Sequence, residues 1–576
     1  MTAVRTVVRR WRPAPALPDP AVLTLLAREL RLPEPMCRLL AVRGLLDPAA
    51  ARAFLRPSLG SLHDPYLLTD MDVAVERLVA ALDRRETILV HGDYDVDGMC
   101  AAALLTRVLL GLGGQAVPFV PHRVRHGYDL GQEGIRRAVD ADSAVILTAD
   151  CGIVAHEAVQ AAGRAGLDVI ITDHHTPGRT LPQALAVIDP KRSDCFYPNA
   201  GLCGTGVAYK LAVALAAARG VDPEAVHYHL DLVALATVAD VMPLTGENRV
   251  LTRFGLRVLE RTRNEGLRAL IRGTGLADRR IASGHLSHVL APRLNAVGRL
   301  EDAATGLELL LSEGDAGAGL AAMLESTNTR RQAVDREILA QAMELLDGRY
   351  EAARDRAVVL ASRGWHPGVI GIVASRIVER LHRPTILIAL PDGPGMARGS
   401  ARSIPGFDLL DSIRACGDHL ERYGGHAAAA GFDIEPDRVE GFRAAFAERA
   451  RSVLPEEPVP ELRIDAELSL SEVTPDLVRY LVHVGPFGVG NPTPVFAFRG
   501  VRISEARTVG ADGHHLRVRI ADGDASLRGI GFRMAETHGA ILRSGEVVDV
   551  AAQLQEDTWN GRRRIQARLV DARPAD

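Results

Sequence analysis

The sequence predicts an α/β protein with two sheet-and-helix domains and a C-terminal β-barrel, and three observations lead to this fold class. Between about residues 76 and 260, short apolar strands alternate with apolar helices, as in a doubly wound parallel sheet. A second series of strand, helix and strand follows at 355–450. From 461 to 576, many short strands are separated by DG and NG turns, which is typical of a small antiparallel barrel.

The first α/β domain is predicted from five strand-like runs. They are TILV at 87–90, AVPFV at 116–120, AVILTA at 144–149, DVIIT at 168–172 and ALAVI at 184–188. Strands that are apolar along their whole length are expected in a parallel sheet that is buried on both faces. The intervening segments MCAAALLTRVLLGL and EGIRRAVDA have the pattern of crossover helices.

The other segments complete a predicted order of five parts. Residues 1–75 are rich in proline and contain short helical patterns, and we interpret them as an N-terminal brace. Residues 261–354 are a predicted helical connector, because the stretch 316–350 contains no proline and has apolar residues at helical spacing. A proline-rich linker, LPEEPVPEL at 454–462, follows the second α/β domain.

Composition excludes several classes of protein. The chain has 576 residues, of which 47% are apolar and 24% are charged, and no run approaches the ~18 apolar residues of a membrane span. The N-terminal sequence lacks the apolar stretch of a secretory signal, so we expect a cytoplasmic protein. Six cysteines without a C-x-x-C pair indicate reduced thiols. A net charge of -4 predicts no global attraction to nucleic acid.

Acidic and imidazole side chains cluster where the predicted strands end. Four of them follow the first strand, one ends the third strand and three follow the fourth. Asp240 closes another apolar run, DLVALATVAD. Because open α/β sheets bind ligands at the carboxyl ends of their strands, we expect these side chains to meet. In chain order, the strand-end residues are His91, Asp93, Asp95, Asp97, Asp150, Asp173, His174 and His175.

The chemistry of this cluster predicts a metal centre. Several carboxylates at one place raise each other's pKa unless cations neutralise them. Carboxylate and imidazole ligands without cysteine suit Mn²⁺, or another hard divalent ion such as Mg²⁺, better than a structural zinc. Two ions ~3.5 to 4 Å apart are the usual arrangement for phosphoester hydrolysis. The alternative interpretation is that the acids only cap helices and bind turn amides, which is common for one aspartate but not for three groups at strand ends.

Two other signals are rejected. The glycine-rich segment GLCGTGVAYK at 201–210 lacks the G-K-[ST] ending of a phosphate-binding P-loop, so it implies no ATPase. A catalytic thiol at Cys151 is disfavoured, because neighbouring carboxylates raise the pKa of a thiol and suppress the thiolate.

The segments that carry the acidic cluster resemble a known superfamily. HGDYDVDGMC, TADCGI, TDHH and ATVADVMPLTGENR are similar, in order and spacing, to the four signatures of the DHH phosphoesterases. Within that superfamily the chain resembles the RecJ family of single-stranded-DNA exonucleases, also through PHRVRHGYDL, APRLNAVGRL, WHPGVIGIVASR, GSARS, YGGHAAAAGF and PFGVGNPTPVF. The resemblance implies a DHH catalytic domain over 76–260, a DHHA1-type substrate-binding domain over 355–450 and an oligonucleotide-binding (OB) fold over 461–576.

The resemblance also implies a ligand set for two divalent cations, with Mn²⁺ favoured and Mg²⁺ as the alternative. One carboxylate, Asp150, bridges both cations. The implied ligands are His91, Asp95 and Asp150 for the first cation, and Asp97, Asp150, His174 and Asp240 for the second.

Three neighbouring residues receive other roles from the resemblance. His175 is expected to face the scissile phosphate as an electrostatic or acid partner. Asp93 is expected to orient the loop or a bound water. Asp173 is expected to bond backbone groups and to fix a histidine tautomer.

Contacts to a single DNA strand are implied in both α/β domains. The implied substrate-binding residues are Arg123, Arg293, Ser400, Arg402 and His426. Ala401 stands where the family frequently has glycine, which puts the exact loop geometry in question but not the expected anion binding. Digestion from the 5′ end is implied by the resemblance alone.

The predicted function is a 5′-to-3′ exonuclease specific for single-stranded DNA, acting in repair and recombination. Two alternatives stay open: a DHH phosphodiesterase for short oligonucleotides, and a noncatalytic strand-binding replication scaffold. The barrel after residue 460 disfavours the first, because a short substrate does not need it, and the presence of every ligand position disfavours the second. The expected partners are single-stranded DNA, a single-strand-binding protein and a RecQ-type helicase, with no membrane and a monomeric state.

Overall fold

A computed structural model describes residues 9–13, 19–123, 125–348, 350–351, 354–559 and 562–575, with only the backbone at 558, 559, 562 and 563. Parts of the predicted N-terminal brace, at 1–8 and 14–18, lie outside the described residues. The chain divides into two units. The parallel-sheet unit comprises Arg52–Thr329 and His483–Thr493, and the barrel unit comprises Met1–Ala51, Arg330–Val482 and Pro494–Asp576.

Strands and helices alternate over residues 87–172, whereas the described residues of 204–346 form helices and those of 496–574 form mostly strands. In chain order the strands are β1 (Arg10–Arg12), β2 (Thr87–Gly92), β3 (Gln115–Phe119), β4 (Ser143–Ala149), β5 (Asp168–Thr172), β6 (Ala186–Ile188), β7 (Val358–Arg363), β8 (Thr385–Leu390), β9 (Ala397–Arg402), β10 (Arg422–Gly425), β11 (Ala429–Ile434), β12 (Glu461–Arg463), β13 (Ala466–Glu467), β14 (Phe496–Val509), β15 (His515–Asp522), β16 (Ala525–Gly531), β17 (Val547–Trp559) and β18 (Arg562–Pro574). The α-helices are Pro20–Leu30, Glu34–Val42, Pro48–Leu55, Met71–Arg84, Val96–Gly111, Gln132–Asp140, His156–Arg164, Gly204–Ala218, Leu230–Ala239, Gly246–Leu259, Glu265–Gly273, Ser283–His285, Ala291–Leu300, Ala304–Leu311, Ala316–Leu346, Ile370–Leu381, Leu409–Arg414, Val439–Val453, Pro475–Val484 and Gly539–Arg543.

The parallel-sheet unit is built on five strands in the order β3-β2-β4-β5-β6, all of them parallel. Alternate residues of one strand enter different cores: Val90 of β2 belongs to the core on one face, and Leu89 to the core on the other. The helix Val96–Gly111 is buried along most of its length, since it packs between the sheet and two further helices. The prediction of a parallel sheet covered on both faces is therefore confirmed.

The second α/β domain has a mixed sheet in the order β10-β11-β9-β8-β7. β7 and β8 are parallel and are joined by the helix Ile370–Leu381, as the strand, helix and strand pattern predicts. β9 and β11 are antiparallel to their neighbours. Three phenylalanines in tilted or stacked contact, Phe432, Phe442 and Phe446, fill the core of this domain.

The C-terminal barrel is closed. Its strands pair in the order β14-β15-β16-β18-β17, and β14 also pairs with β17. In β15, buried Leu516, Val518 and Ile520 alternate with polar residues that face outward, which is the pattern of a barrel wall. The predicted fold class, two α/β domains followed by an OB-type barrel, is confirmed.

The N-terminal strand β1 belongs to the barrel unit. It pairs in parallel with β12, and Trp11 between its two arginines is buried. The indole Nε1 donates a hydrogen bond to Oδ2 of Asp571 at 2.8 Å. Part of the predicted brace is thus a strand held at the base of the barrel. None of the helices among the described residues has the length and apolar character to cross a membrane.

Candidate metal centre

The residues that follow β2, β4 and β5 lie side by side, because these three strands are neighbours in the parallel sheet. The N–H of Asp93 donates to the carbonyl of Ala149 at 3.3 Å, and the N–H of Asp150 donates to the carbonyl of Thr172 at 2.9 Å. Each hydrogen bond ties one strand end to the next. The chain segments with the predicted ligands therefore leave the sheet together, at its carboxyl edge.

Two helix N-termini fix two of the carboxylates. Asp95 caps the helix Val96–Gly111, and its Oδ1 accepts from the N–H of Asp97 at 2.9 Å and from the next N–H at 3.1 Å. Asp97 accepts from the N–H groups of Gly204 and Thr205, both at 2.7 Å, and from the Thr205 hydroxyl at 2.6 Å. Helix N-termini stabilise negative charge. The glycine-rich segment at 201–210 thus supports a carboxylate, and not a phosphate loop.

His174 stands at the centre of the other predicted ligands. Its Nε2 lies 3.1 Å from Oδ1 of Asp150, 3.6 Å from Oδ2 of Asp240 and 3.8 Å from Oδ2 of Asp97. Asp240 reaches this point from the C-terminal end of the helix Leu230–Ala239, and not from a strand. Asp150 has a backbone φ of +69°, a conformation that aspartate tolerates better than most residues.

The side chains form three overlapping groups in which one ligand atom of each residue lies within 4.8 Å of the others. Asp150 and His174 each take part in two groups. Asp93, which was expected only to orient the loop or a water, lies within ligand reach, whereas His91 is not in these groups. The groups are Asp150, His174 and His175; Asp97, His174 and Asp240; and Asp93, Asp95 and Asp150.

The donor atoms fit divalent cations. Oδ1 of Asp93, Oδ1 of Asp150 and Oδ2 of Asp240 are buried and have no hydrogen-bond partner among the described residues. Nε2 of His91 is also buried without a hydrogen-bond partner among the described residues. The imidazole ring of His91 contacts the ring of Phe119, and its Nδ1 lies 3.6 Å from the Cys151 sulfur. Buried polar atoms are normally paired, so these unpaired oxygens and nitrogen indicate a positive ligand.

Burial and mutual repulsion destabilise the carboxylates in their charged form. Burial raises the pKa of Asp150 well above its usual range, and the charges of Asp97 and Asp95 raise it further. The same causes raise the pKa of Asp240 to about 8. Burial and the charge of Asp95 raise the pKa of Asp93 as well. A bound cation would reverse these shifts, because it favours the ionised carboxylates.

The histidines divide into two classes. Burial lowers the pKa of His91 and of His174 to about 4, so both rings are neutral at pH ~7 and can ligate a metal. Burial also opposes the charge on His175, but a 2.8 Å hydrogen bond to Asp173 and the charge of that carboxylate raise the pKa of His175 to about 9. Asp173 is fixed in turn by the N–H of Ile153 at 2.9 Å. At pH ~7, His175 is therefore protonated, whereas the imidazoles of His91 and His174 are neutral.

Models of three protein families match successive parts of the chain. The DHH family N-terminal domain matches residues 87–237, the DHHA1 domain matches 354–452 and the RecJ OB domain matches 464–571. These matches follow the order of the three folded domains along the chain.

Relatives that match nearly the whole chain decide the family. The single-stranded-DNA-specific exonuclease RecJ of Bacillus subtilis is 34% identical over 557 residues, which is 96% of this chain and 70% of that protein. The protein of the same name from Escherichia coli is 35% identical over 561 residues, which is 93% of this chain and 95% of that protein. This chain belongs to the RecJ family.

A solved RecJ structure supports the same placement. The structure of RecJ in complex with Mn²⁺ from Thermus thermophilus matches with a TM-score of 0.84 and 33% identity, covering 98% of this chain and 80% of that one. The Mg²⁺ complex of the same protein matches with a TM-score of 0.79. The resemblance found in the sequence is confirmed.

Arg123 and Arg293 of this RecJ-family chain lie in different surroundings. The guanidinium of Arg123 is 5.1 Å from the ring centre of Tyr94, the neighbour of Asp93, and its charge acts on both residues. Arg293 instead forms an ion pair with Glu325, and its Nη1 donates to the carbonyl of Val289 at 2.6 Å. A DNA phosphate at Arg293 must therefore compete with a carboxylate of the same unit.

The other implied substrate-binding residues, Ser400, Arg402 and His426, belong to the mixed-sheet domain, and Ser400 and Arg402 lie in strand β9 and not in a loop as expected. A methyl group at Gly371, in the first turn of the helix Ile370–Leu381, would come within 2.7 Å of the Ser400 hydroxyl and 2.9 Å of an Arg402 Nη atom. Ser400 and Arg402 therefore face this helix N-terminus, which favours an anion. His426 is exposed in the turn before β11, where Ala429 is paired with Arg402.

Two polar residues near the metal centre were not singled out from the sequence. Asp189 follows β6, is buried, and has a pKa that burial raises to about 7; the N–H of Lys191 donates to it at 2.6 Å. The Tyr128 hydroxyl is 3.3 Å from Nδ1 of His175. The available signals were the position of Asp189 at a strand end and the place of Tyr128 in the PHRVRHGYDL motif.

Proposed function

We propose that this chain is an exonuclease that hydrolyses phosphodiester bonds of single-stranded DNA from the 5′ end, in DNA repair and recombination. The proposal rests on one observation: three groups of side chains that could hold a metal ion overlap, because Asp150 and His174 each belong to two of them. Two cations on one bridging carboxylate suit hydrolysis of a phosphodiester. The names of the relatives from B. subtilis and E. coli, both single-stranded-DNA-specific exonucleases, support the substrate.

The proposed cofactors are two divalent cations, Mn²⁺ or alternatively Mg²⁺. When bound, they supply Lewis acidity, which stabilises charge on the phosphate and lowers the pKa of water. His91 enters the set through its unpaired Nε2, and Asp93 is a candidate for direct ligation as well as for holding water. The proposed ligands are His91, Asp95 and Asp150 for one cation, and Asp97, Asp150, His174 and Asp240 for the other.

The protein's own groups position the reaction. Asp97 cannot turn away, because three hydrogen bonds from Gly204 and Thr205 hold both of its oxygens. Asp173 keeps His175 protonated, so that this ring can donate a hydrogen bond to a phosphate oxygen and stabilise its developing charge. Because the ring of His175 is already held in position by Asp173, it can stabilise the phosphate as soon as the substrate binds.

The 5′ end is proposed to bind at Ser400, Arg402 and His426. Arginine binds a phosphate through two parallel N–H bonds, and a terminal phosphate carries more charge than an internal one. Arg402→Ala should therefore reduce the preference for a 5′-phosphorylated strand over a 5′-hydroxyl strand. The ratio of kcat/KM for these two substrates measures the effect, and equal losses on both substrates would refute the assignment.

The outer wall of the barrel is proposed to bind another part of the strand. Arginines face each other across neighbouring strands: Arg507 pairs with Arg517, and Arg519 pairs with Arg528. Like charges in such positions repel. An ion pair with Glu505 at 3.3 Å offsets the charge of Arg519 in part, and a DNA backbone would relieve the remaining repulsion. Phe532, directly after β16, is 50% exposed and can stack on a base.

Neutralising two of these arginines tests the barrel wall. The double variant Arg517→Gln/Arg528→Gln should weaken binding to a long single strand and reduce the slope of log K against log salt by about 1 to 2. Fluorescence anisotropy at several salt concentrations measures both quantities. An unchanged slope would show that the strand does not contact this wall.

The finer setting is also part of the proposal. By its resemblance to RecJ proteins, the enzyme acts as a monomer in the cytoplasm, on strands delivered by a single-strand-binding protein and a RecQ-type helicase. Light scattering and pull-down with purified partners test these points. A stable dimer, or an absence of binding to both partners, would contradict them.

The catalytic proposal is tested at the bridging carboxylate. Asp150→Asn keeps the shape and the left-handed backbone of this residue but removes its charge, and it should abolish digestion of 5′-labelled single strands with Mn²⁺. Asp142→Asn is the matched control, because Asp142 also has a positive φ, of 49°, but is exposed and outside the site. End-labelled single and duplex DNA of both polarities should be compared. Near-normal turnover of Asp150→Asn would overturn the assignment.

A further inference from the structure

One segment of the C-terminal sequence folds with the parallel-sheet unit. His483–Thr493, which we call the docking segment, precedes β14 and contains most of the PFGVGNPTP motif that the sequence resemblance left without a role. Its carbonyls accept hydrogen bonds from three side chains of the unit. Arg249 donates to Val484 at 2.7 Å, Arg253 donates to Gly485 at 2.9 Å and Ser283 donates to Phe487 at 2.6 Å; all three acceptors are main-chain oxygens.

The docking segment also contacts the loop that follows Asp240. The N–H of Leu244 donates to the carbonyl of Val489 at 2.7 Å. Gly488 and Gly490 leave room for the loop: a methyl at Gly488 would come within 2.7 Å of Leu244, and one at Gly490 within 3.2 Å of Thr245 and 3.3 Å of Pro243. The segment is therefore packed against residues 243–245 of this loop.

The loop leaves its helix through a left-handed residue. Asp240 is the residue at which the helix Leu230–Ala239 ends, and Val241 directly after it has a φ of +60° and is 63% exposed. A β-branched residue in the left-handed region is strained. It is held by the end of its own helix, where the N–H of Met242 donates to the carbonyl of Thr237 at 3.1 Å, and by the loop that packs against the docking segment. Asp97 is held by three hydrogen bonds, whereas Oδ2 of Asp240 has no hydrogen-bond partner among the described residues and lies 3.6 Å from Nε2 of His174. The position of Asp240 thus depends on its backbone.

We propose that the docking segment positions Asp240 and thereby sets the affinity of the Asp97, His174 and Asp240 group for its cation. The inference rests on the proposed function, in which Asp240 is a metal ligand. Gly488 and Gly490 are positioning residues, because they act through the loop. The sequence around β14 therefore serves the metal centre as well as the barrel.

A methyl group at Gly490 perturbs both the backbone of the docking segment and its contact with the loop. Gly490→Ala introduces backbone strain at a φ of +71° and presses on Pro243 and Thr245. Gly275→Ala is the matched control, because Gly275 belongs to the same unit and has the same φ of +71°, but nothing lies within 4 Å of its added methyl. Both variants lose the freedom of glycine, and only the first one moves the Asp240 loop.

The affinity for Mn²⁺ can be measured without DNA. The full chain is titrated with Mn²⁺, and electron paramagnetic resonance detects the ion that is not bound. Gly490→Ala should raise the dissociation constant of one Mn²⁺ site about tenfold, as for other residues that support metal ligands, while Gly275→Ala should leave it unchanged. Exonuclease activity of Gly490→Ala should recover at high Mn²⁺. Equal Mn²⁺ affinity of the two variants would overturn the inference.

Asp240→Ala separates this inference from the proposed function. If Asp240→Ala weakens Mn²⁺ binding and Gly490→Ala does not, the positioning role is refuted and the ligand assignment stands. If neither variant weakens binding, Asp240 is not a ligand and both are refuted. Should Gly490→Ala fail to fold, Ser283→Ala takes its place, since it removes one hydrogen bond to the segment; a normal Mn²⁺ affinity of that variant would count against the proposal.

Discussion

Gly204 lies against the proposed bridging carboxylate, and one added methyl group there tests the geometry of the centre. A methyl at Gly204 would stand 2.4 Å from Oδ1, 2.5 Å from Cβ and 2.6 Å from Cγ of Asp150. Ordinary contacts of a methyl carbon begin near 3.4 Å. The Gly204→Ala variant must therefore separate these groups by ~1 Å, a distance that a well-packed core does not absorb freely.

Turning the carboxylate alone cannot relieve the contact, because Cβ of Asp150 is also too close. The backbone of Asp150 or of Gly204 must therefore shift, and either shift disturbs a hydrogen bond of the centre, from Asp150 to Thr172 or from Gly204 to Asp97. Misplacing a catalytic group by ~1 Å lowers the rate on the order of 10²-fold. Overpacking of a core costs ~1 to 3 kcal/mol of unfolding free energy, which a protein of this size can tolerate. We therefore expect a folded enzyme with about one per cent of normal kcat.

Gly206→Ala provides the comparison. Gly206 lies two residues further along the same helix, and its added methyl would meet Leu202 at 3.4 Å, an ordinary contact. Steady-state kinetics on a 5′-phosphorylated single strand with saturating Mn²⁺, together with thermal unfolding, should be measured for both variants. If Gly204→Ala turns over as fast as Gly206→Ala, the carboxylate of Asp150 is not positioned as we describe.

Further predictions concern stability, substrate binding and pH. Glu247→Ala should lower the unfolding free energy by ~3 to 5 kcal/mol in denaturant titrations, because it removes the carboxylate that lies 2.7 Å from the buried ammonium of Lys210 and leaves the carbonyl of His63 as its hydrogen-bond acceptor; a loss under ~1 kcal/mol would contradict this. Glu325→Gln should tighten single-strand binding ~2- to 5-fold in anisotropy assays, since it frees Arg293 from its ion pair, and weaker binding would argue against a phosphate contact there. Burial alone would raise the pKa of Asp571, but hydrogen bonds from an imidazole and an indole lower it. The ionised Asp571 therefore stabilises the fold above pH ~3.9, and this stabilisation is lost as the pH falls through the lowered pKa. Asp571→Asn should therefore reduce the difference in unfolding temperature between about pH 7 and about pH 3, and an unchanged difference would refute the assignment.

The sequence predicts those parts of the fold that depend on local patterns. The strands of the parallel sheet are recognisable because burial on both faces requires a continuous apolar run, as in TILV and AVILTA. The common location of Asp97, Asp150 and His174 follows from the same argument, since neighbouring parallel strands end at one edge. Asp240 illustrates the limit of that reasoning: it caps a helix, and the apolar run before it does not distinguish helix from strand.

Contacts between distant parts of the chain had no sequence signal. The strand pairing of β1 with β12 joins residues about 450 positions apart, and three residues are too few for periodicity. The docking segment has glycines and prolines that predict a loop, but nothing in it specifies the surface to which it binds. The pairing of Arg293 with Glu325 likewise depends on two helices meeting in space.

The central claim is that one aspartate bridges two cations at the carboxyl edge of the parallel sheet. Anomalous diffraction at the manganese edge, from crystals of the full chain soaked in Mn²⁺, tests it most directly. We predict two anomalous peaks, both in contact with Asp150 and one of them also with Asp97, His174 and Asp240. A site without anomalous signal, or a single peak remote from Asp150, would contradict the account.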